Sequence, residues 1–95
     1  MTSELLAERA SEVRRVARSH GAKRVRVFGS HARGDAAPSS DVDLLVCLDA
    51  GRDLIDLVAL CQELEALLGC PVDVVEEGGL SPYLREAILR EAQPL

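Results

Sequence analysis

Ninety-five residues with a net charge of −5, 47% apolar side chains and only two aromatics, Phe28 and Tyr83, leave room for one aliphatic core and no second one. The acidic balance argues against bulk nucleic-acid binding, which needs clustered Lys and Arg, and no uninterrupted apolar stretch nears the ~18 residues of a membrane span. Three cysteines, Cys47, Cys61 and Cys70, with no Cys-x-x-Cys pair, point to a reduced, cytoplasmic protein in which Cys47 and Cys61 are small core residues. Glu4, Glu8 and Arg9 interrupt the N-terminus, so no signal peptide is expected, and residues 1–95 read as one domain.

Residues 4–20 read as a helix: Leu6, Ala10, Val13 and Ala17 recur at helical spacing, and Gly21 is the stop. Residues 24–28 alternate as Arg-Val-Arg-Val-Phe, a half-buried strand that Gly29 ends. Ser30 is placed to cap a short helix over about 31–34, and residues 35–40 form a polar loop. Residues 41–48 read as a central strand that opens on carboxylates. Asp53 caps a long helix to about Leu68, with Leu54, Leu57, Val58, Cys61, Leu64 and Leu68 on one broad face. Residues 72–76 form a third strand, Gly78-Gly79 a turn, and Ser81-Pro82 the start of a last helix to about Ala92. The order α-β-α-β-α-β-α predicts an α+β fold: a small mixed sheet, its second and third strands parallel across a helical crossover, with helices mainly on one face.

Strand alternation puts Asp41 and Asp43 on one face, roughly 7 Å apart, with Leu45 and Cys47 following and Val42, Leu44, Val46 and Leu48 opposite. Two carboxylates so placed repel unless a cation lies between them, and Mg²⁺ takes carboxylate, phosphate and water oxygens. A third acid, Asp73, stands between valines in the next strand, where an unpaired charge is costly to bury. Beside the Asp41/Asp43 strand, it would complete a metal site and accept a proton from an attacking hydroxyl. Gly29-Ser30 allows close backbone approach to phosphates, and Arg33, one helical turn on, reaches the same anion. His31 reads as an exposed helix residue, His20 as a helix end, and Asp35 as a residue that fixes Arg33 or the loop. Arg14, Arg15, Arg18, Lys23, Arg24 and Arg26 crowd into a short stretch that reads either as a solvated surface or as a rim for triphosphate.

Gly29-Ser30, a ten-residue gap and Asp41-Val42-Asp43 resemble the signature of the DNA polymerase beta superfamily of nucleotidyltransferases. The longer strings Gly29-Ser30-His31-Ala32-Arg33-Gly34-Asp35 and Ser40-Asp41-Val42-Asp43-Leu44 are similar to its smallest branch, the minimal nucleotidyltransferases. Val72-Asp73-Val74-Val75 and the closing residues 80–92 extend the likeness. The resemblance implies that Gly29 and Ser30 hold a nucleoside triphosphate, that Asp41 and Asp43 bind two Mg²⁺ ions, and that Asp73 binds the catalytic ion and serves as base. It further implies AMP transfer from ATP to a tyrosine of a HEPN ribonuclease toxin, with this chain as antitoxin. Nothing here resembles a HEPN domain, so that toxin would be a separate chain.

Two other functions stay open at this stage: a binding module that neutralises by masking its partner, and nucleotidyl transfer to a small molecule such as an aminoglycoside. The chain has little material for a deep acceptor pocket, which favours completion of the site by a partner, with a homodimer as the alternative. The metal-site arrangement requires Asp73 on the same face as Asp41 and Asp43, and the phosphate role requires Gly29-Ser30 next to Asp43.

Overall fold

The computed structural model describes residues 4–37 and 40–95, so Ser39 of the Ser-Ser-Asp string and the first three residues lie outside the described residues. The elements run α1 (Glu4–Ser19), β1 (Ala22–Phe28), α2 (Ser30–Arg33), β2 (Val42–Leu48), α3 (Leu54–Leu68), β3 (Val72–Glu76), a single 3₁₀ turn (Glu77–Gly79), α4 (Pro82–Glu91) and β4 (Gln93–Pro94). They form a four-stranded sheet of order β3-β2-β1-β4. β1 runs antiparallel to both β2 and β4, and β2 runs parallel to β3. The expected mixed α+β architecture is therefore present.

Local chemistry explains most boundaries. Asp53 accepts from the Ile55 and Asp56 amides at 3.0 and 3.3 Å, while the Asp56 side chain accepts from the Asp53 amide at 3.0 Å. This reciprocal box satisfies donors that the first turn of α3 leaves without partners. Ser81 caps α4 through the Leu84 amide, with Pro82 in the first turn. Ser30 does not cap α2: Gly29 holds that position and Ser30 is the first helical residue. β1 begins at Ala22, earlier than alternation suggests, because a register shift between Ala22 and Arg24 interrupts the two-residue period there. β4 is an addition that two residues of sequence cannot signal. Pro94 is tolerated because this strand lies at the sheet edge.

The core forms on one face. Leu6, Val13 and Ala17 of α1 and Leu60, Leu64 and Leu68 of α3 pack over Val25, Val27, Val42, Leu44, Val46 and Val72. Only the C-terminal part of α3 is buried. Leu54, Ile55 and Val58 in its first turns are exposed, so its apolar face is narrower than the spacing of its leucines predicts. His20, read as a helix end, bridges α1 to α3 through Glu63 at 2.8 Å. α4 buries no residue, and its Tyr83 and Leu84 are exposed.

Leu45 faces the other side of the sheet yet is 1% exposed. Arg26 is its partner on β1, Val75 its partner on β3, and the Arg26 Nη2–Glu77 Oε2 ion pair (2.9 Å) spans β2 between those strands. The arginine stem and its paired carboxylate add apolar and polar cover on the Leu45 face of the sheet. Bonding to Arg26 holds the Glu77 carboxyl below its ordinary pKa.

Leu44 has no exposed surface and lies between both helices and the sheet. Leu44→Ala is expected to lower unfolding free energy by about 2–5 kcal/mol in denaturant titrations; a loss under 1 kcal/mol would contradict this packing.

Candidate functional site

Three strands converge on one carboxylate. Phe28 pairs with Asp43 across the β1–β2 ladder, and Asp43 pairs with Asp73 across β2–β3. Residues directly opposite in a ladder point to the same face, so Asp43 and Asp73 lie side by side on the face away from α1 and α3. Asp41 sits one residue before β2 and is exposed; its neighbour Val42 anchors that end by donating to the Pro71 carbonyl at 2.9 Å. Parallel pairing brings the beginnings of β2 and β3 together, which is why their acids meet.

The start of β3 is held by α3 as well as by β2. Val72 donates its amide to Glu65 Oε2 at 3.0 Å, and its carbonyl accepts from Cys61 Sγ at 2.9 Å. These two side chains, one helical turn apart, occupy the outer edge of β3 and so fix the residue preceding Asp73. Cys61 is thus more than the small core residue its apolar neighbours suggest, and Glu65, four residues on at helical spacing, joins it in holding β3.

Asp43 is half-buried, while Asp41 and Asp73 are exposed. Burial pushes the Asp43 carboxyl above its ordinary pKa; the charges of Asp73 and Asp41 add to this, and His31 opposes it. His31 is a correction to the sequence reading: it is 3% exposed, with Nε2 at 3.3 Å from the Ser40 carbonyl. A four-residue helix has no periodicity from which an inward side could be read.

Gly29 links this carboxylate to the turn. Its φ of +76° and ψ of −155° fall in a region almost confined to glycine. A Cβ at this position would also collide with Asp43 Oδ2. The turn is therefore in contact with the acid pair. Ser30 follows at the head of α2, half-buried.

Arg33 projects from the end of α2 with its Nε donating to Asp35 Oδ2 at 3.3 Å and its Nη1 to Glu91 Oε1 at 2.8 Å. Asp35 thus fixes Arg33, one of the two roles expected for it. The basic stretch does not form a rim here. Arg14, Arg18, Lys23 and Arg24 gather with Pro94 and Leu95 around the beginning of β1, at the end of the strand away from Gly29. Arg26 is committed to Glu77.

Hard oxygen donors beside a turn without a Cβ form a set that suits Mg²⁺, which takes one or two protein carboxylates and fills its octahedron with phosphate and water. Among the described residues no group of three or more His, Cys, Asp or Glu side chains is arranged to hold a metal ion, so the three acids do not by themselves close around one.

Two measurements check this geometry. Gly29→Ala is expected to cost about 1–3 kcal/mol from backbone strain, measured by chemical denaturation, because the alanine also displaces the Asp43 carboxylate. Asp43→Asn, in metal-free buffer, is expected to raise the thermal midpoint near pH 7. A carboxyl whose pKa folding raises favours the folded state below its unfolded value, about 4, and loses that contribution as pH rises through the raised value. The midpoint difference should therefore shrink toward pH 4 and widen toward neutrality; no difference at pH 7 would contradict the repulsion.

A family model described as nucleotidyltransferase domain matches residues 10–95. The chain is 47% identical over 73 residues to a Methanocaldococcus jannaschii protein provisionally named protein adenylyltransferase, covering 77% of this chain and 78% of that one. It is 41% identical over 71 residues to the protein adenylyltransferase MntA of Thermococcus cleftensis, covering 75% and 72%. A solved structure provisionally described as a minimal nucleotidyltransferase superposes with a TM-score of 0.88 at 54% identity, over 100% of this chain and 97% of that one. A chain from a toxin–antitoxin structure with AMP-PNP shares the fold at a TM-score of 0.78 and 23% identity, over 88% of this chain and 69% of its own. Among the described residues no helix is long and apolar enough to cross a membrane. The Gly-Ser turn packed on in-register aspartates and the match over residues 10–95 lead to one assignment: this chain belongs to the nucleotidyltransferase domain family.

Proposed function

We propose that this chain is a Mg²⁺-dependent adenylyltransferase that transfers AMP from ATP to a tyrosine hydroxyl of a separate HEPN ribonuclease toxin, and so acts as its antitoxin in the cytoplasm. The observation that carries this reading is the Asp43–Asp73 pair in register, with Gly29 against Asp43. The reading also draws on relatives named protein adenylyltransferase and on the occurrence of this fold in toxin–antitoxin complexes, one with a tri-AMPylated HEPN toxin from Shewanella oneidensis.

The residues divide the work as follows. The Gly29-Ser30 turn accepts the triphosphate, because a backbone without a Cβ permits close approach and Ser30 adds a hydroxyl donor. Arg33 supplies further N–H donors to the same phosphates. Asp41, Asp43 and Asp73 would hold two Mg²⁺ ions, which when bound neutralise phosphate charge and favour the attacking alkoxide. Asp73, at the exposed strand edge, takes the proton from the tyrosine hydroxyl as its oxygen bonds the α-phosphorus. The α–β phosphoanhydride bond breaks and pyrophosphate leaves. We assign all of this to one domain over residues 1–95, with the partner supplying the acceptor.

The test is incubation with α-labelled ATP, Mg²⁺ and the HEPN protein of the neighbouring gene. Label is expected on a toxin tyrosine, falling about 10²–10⁴-fold with Asp73→Asn while toxin binding persists. Full neutralisation of the toxin by Asp43→Ala would overturn catalysis in favour of masking.

A further inference from the structure

Arg33 meets a competitor for its guanidinium in its own fold. Of its five N–H donors, one goes to Asp35 and one to Glu91, and the Glu91 bond is the shorter, 2.8 against 3.3 Å. Glu91 comes from the last turn of α4, far away in sequence, and β4 brings it here. Gln93 pairs with Val27 and Pro94 with Arg26, and the Leu95 amide donates to the Val25 carbonyl at 3.3 Å. β1 leads directly into Gly29, so its antiparallel partner delivers the end of α4 to the same end of the sheet. The Glu91 charge is felt by Asp43 as well. A carboxylate pinned by backbone pairing beside a turn read as a phosphate site is electrostatically adverse unless something uses it.

We propose that Glu91 is a positioning residue acting through Arg33: it holds the guanidinium while the turn carries no anion and yields it to the phosphates of a bound nucleoside triphosphate. The inference rests on the nucleotide reading of Gly29-Ser30. The Arg33 and Glu91 side chains are 52% and 33% exposed, and ion pairs this accessible contribute little to stability, so the exchange is easy. A phosphate offers the planar fork two acceptors and more charge than a single carboxylate oxygen. Asp35 retains Nε throughout, so the arginine pivots rather than detaches. Glu91 leads through Ala92 into β4, so a change in its bonding is felt at the junction of α4 with the sheet.

The test is calorimetric titration of the full chain with Mg²⁺-complexed AMP-PNP, which reads binding rather than turnover. Glu91→Gln is expected to tighten binding about 3–10-fold, as removal of one exposed ionic competitor would. Glu91→Asp, which keeps the charge on a shorter side chain, is expected to act in the same direction. Arg33→Ala should weaken binding, and Glu91→Gln added to Arg33→Ala should change it less than about 2-fold, since the effect runs through the arginine. Amide exchange over residues 91–95 should quicken when the analogue binds wild-type protein and not when it binds Glu91→Gln. Unchanged or weaker binding by Glu91→Gln overturns the role of Glu91 and leaves the nucleotide site standing. Equal tightening with and without Arg33 also overturns it, because Glu91 would then only repel phosphate directly. Absence of analogue binding to wild-type protein overturns both readings.

Discussion

The structure turns on the in-register parallel pairing of Asp43 with Asp73. Two carboxylates side by side on neighbouring strands repel, and backbone hydrogen bonds hold them there regardless. Burial first, and then the charges of Asp73 and Asp41, push the Asp43 carboxyl above its ordinary pKa. The arrangement persists because the core lies on the other face, where Val42, Leu44, Val46 and Val72 pack under α1 and α3. α3 has a second part in it: as the crossover it makes β2 and β3 parallel, and through Cys61 and Glu65 it grips the edge residue before Asp73. One helix thus sets the direction, register and anchoring of the acid pair.

The contact of Gly29 with Asp43 ties the acids to the turn. Backbone and side chain constrain one another: the positive φ requires glycine, and the missing Cβ leaves space that the Asp43 carboxylate reaches. A change at either residue therefore moves the other. His31 and Arg33 divide the short helix that follows. One side chain is buried toward the Ser40 carbonyl and the other is turned outward onto Asp35 and Glu91. The Gly29-Ser30 turn, the acid pair and the end of α4 form one connected charge system at one end of the sheet.

The other end has a different character. Leu54, Ile55 and Val58 are exposed in the first turns of α3, which begins where β2 has finished. Tyr83 and Leu84 are exposed where α4 begins, after β3 and its 3₁₀ turn. α4 then runs back toward the acids, since its last residue reaches Arg33. It spans the two ends with no fully buried residue, half-burying Ile88 and Leu89 and bonding the Glu77 carbonyl through Arg85.

Much of this was legible in the chain. Helical spacing, the Asp53 and Ser81 caps, and strand alternation set the elements and the faces of β2. Gly29-Ser30 with Asp41, Asp43 and Asp73 marked the acids and the turn through their combined spacing and through an acid set between valines, where burial of an unpaired charge is costly. Short elements escaped: β4 is two residues long and α2 is four, below any period, so the burial of His31 and the arrival of Glu91 beside Arg33 were invisible. The fate of the basic stretch was equally hidden, because strand direction alone decided that most of it lies away from the turn. By itself the sequence determined which groups carry charge, which residues face together within a strand, and where glycine is required, all local consequences of backbone geometry. Only the tertiary structure decided which charges meet, because strand order and register are settled by burying the aliphatic face as a whole.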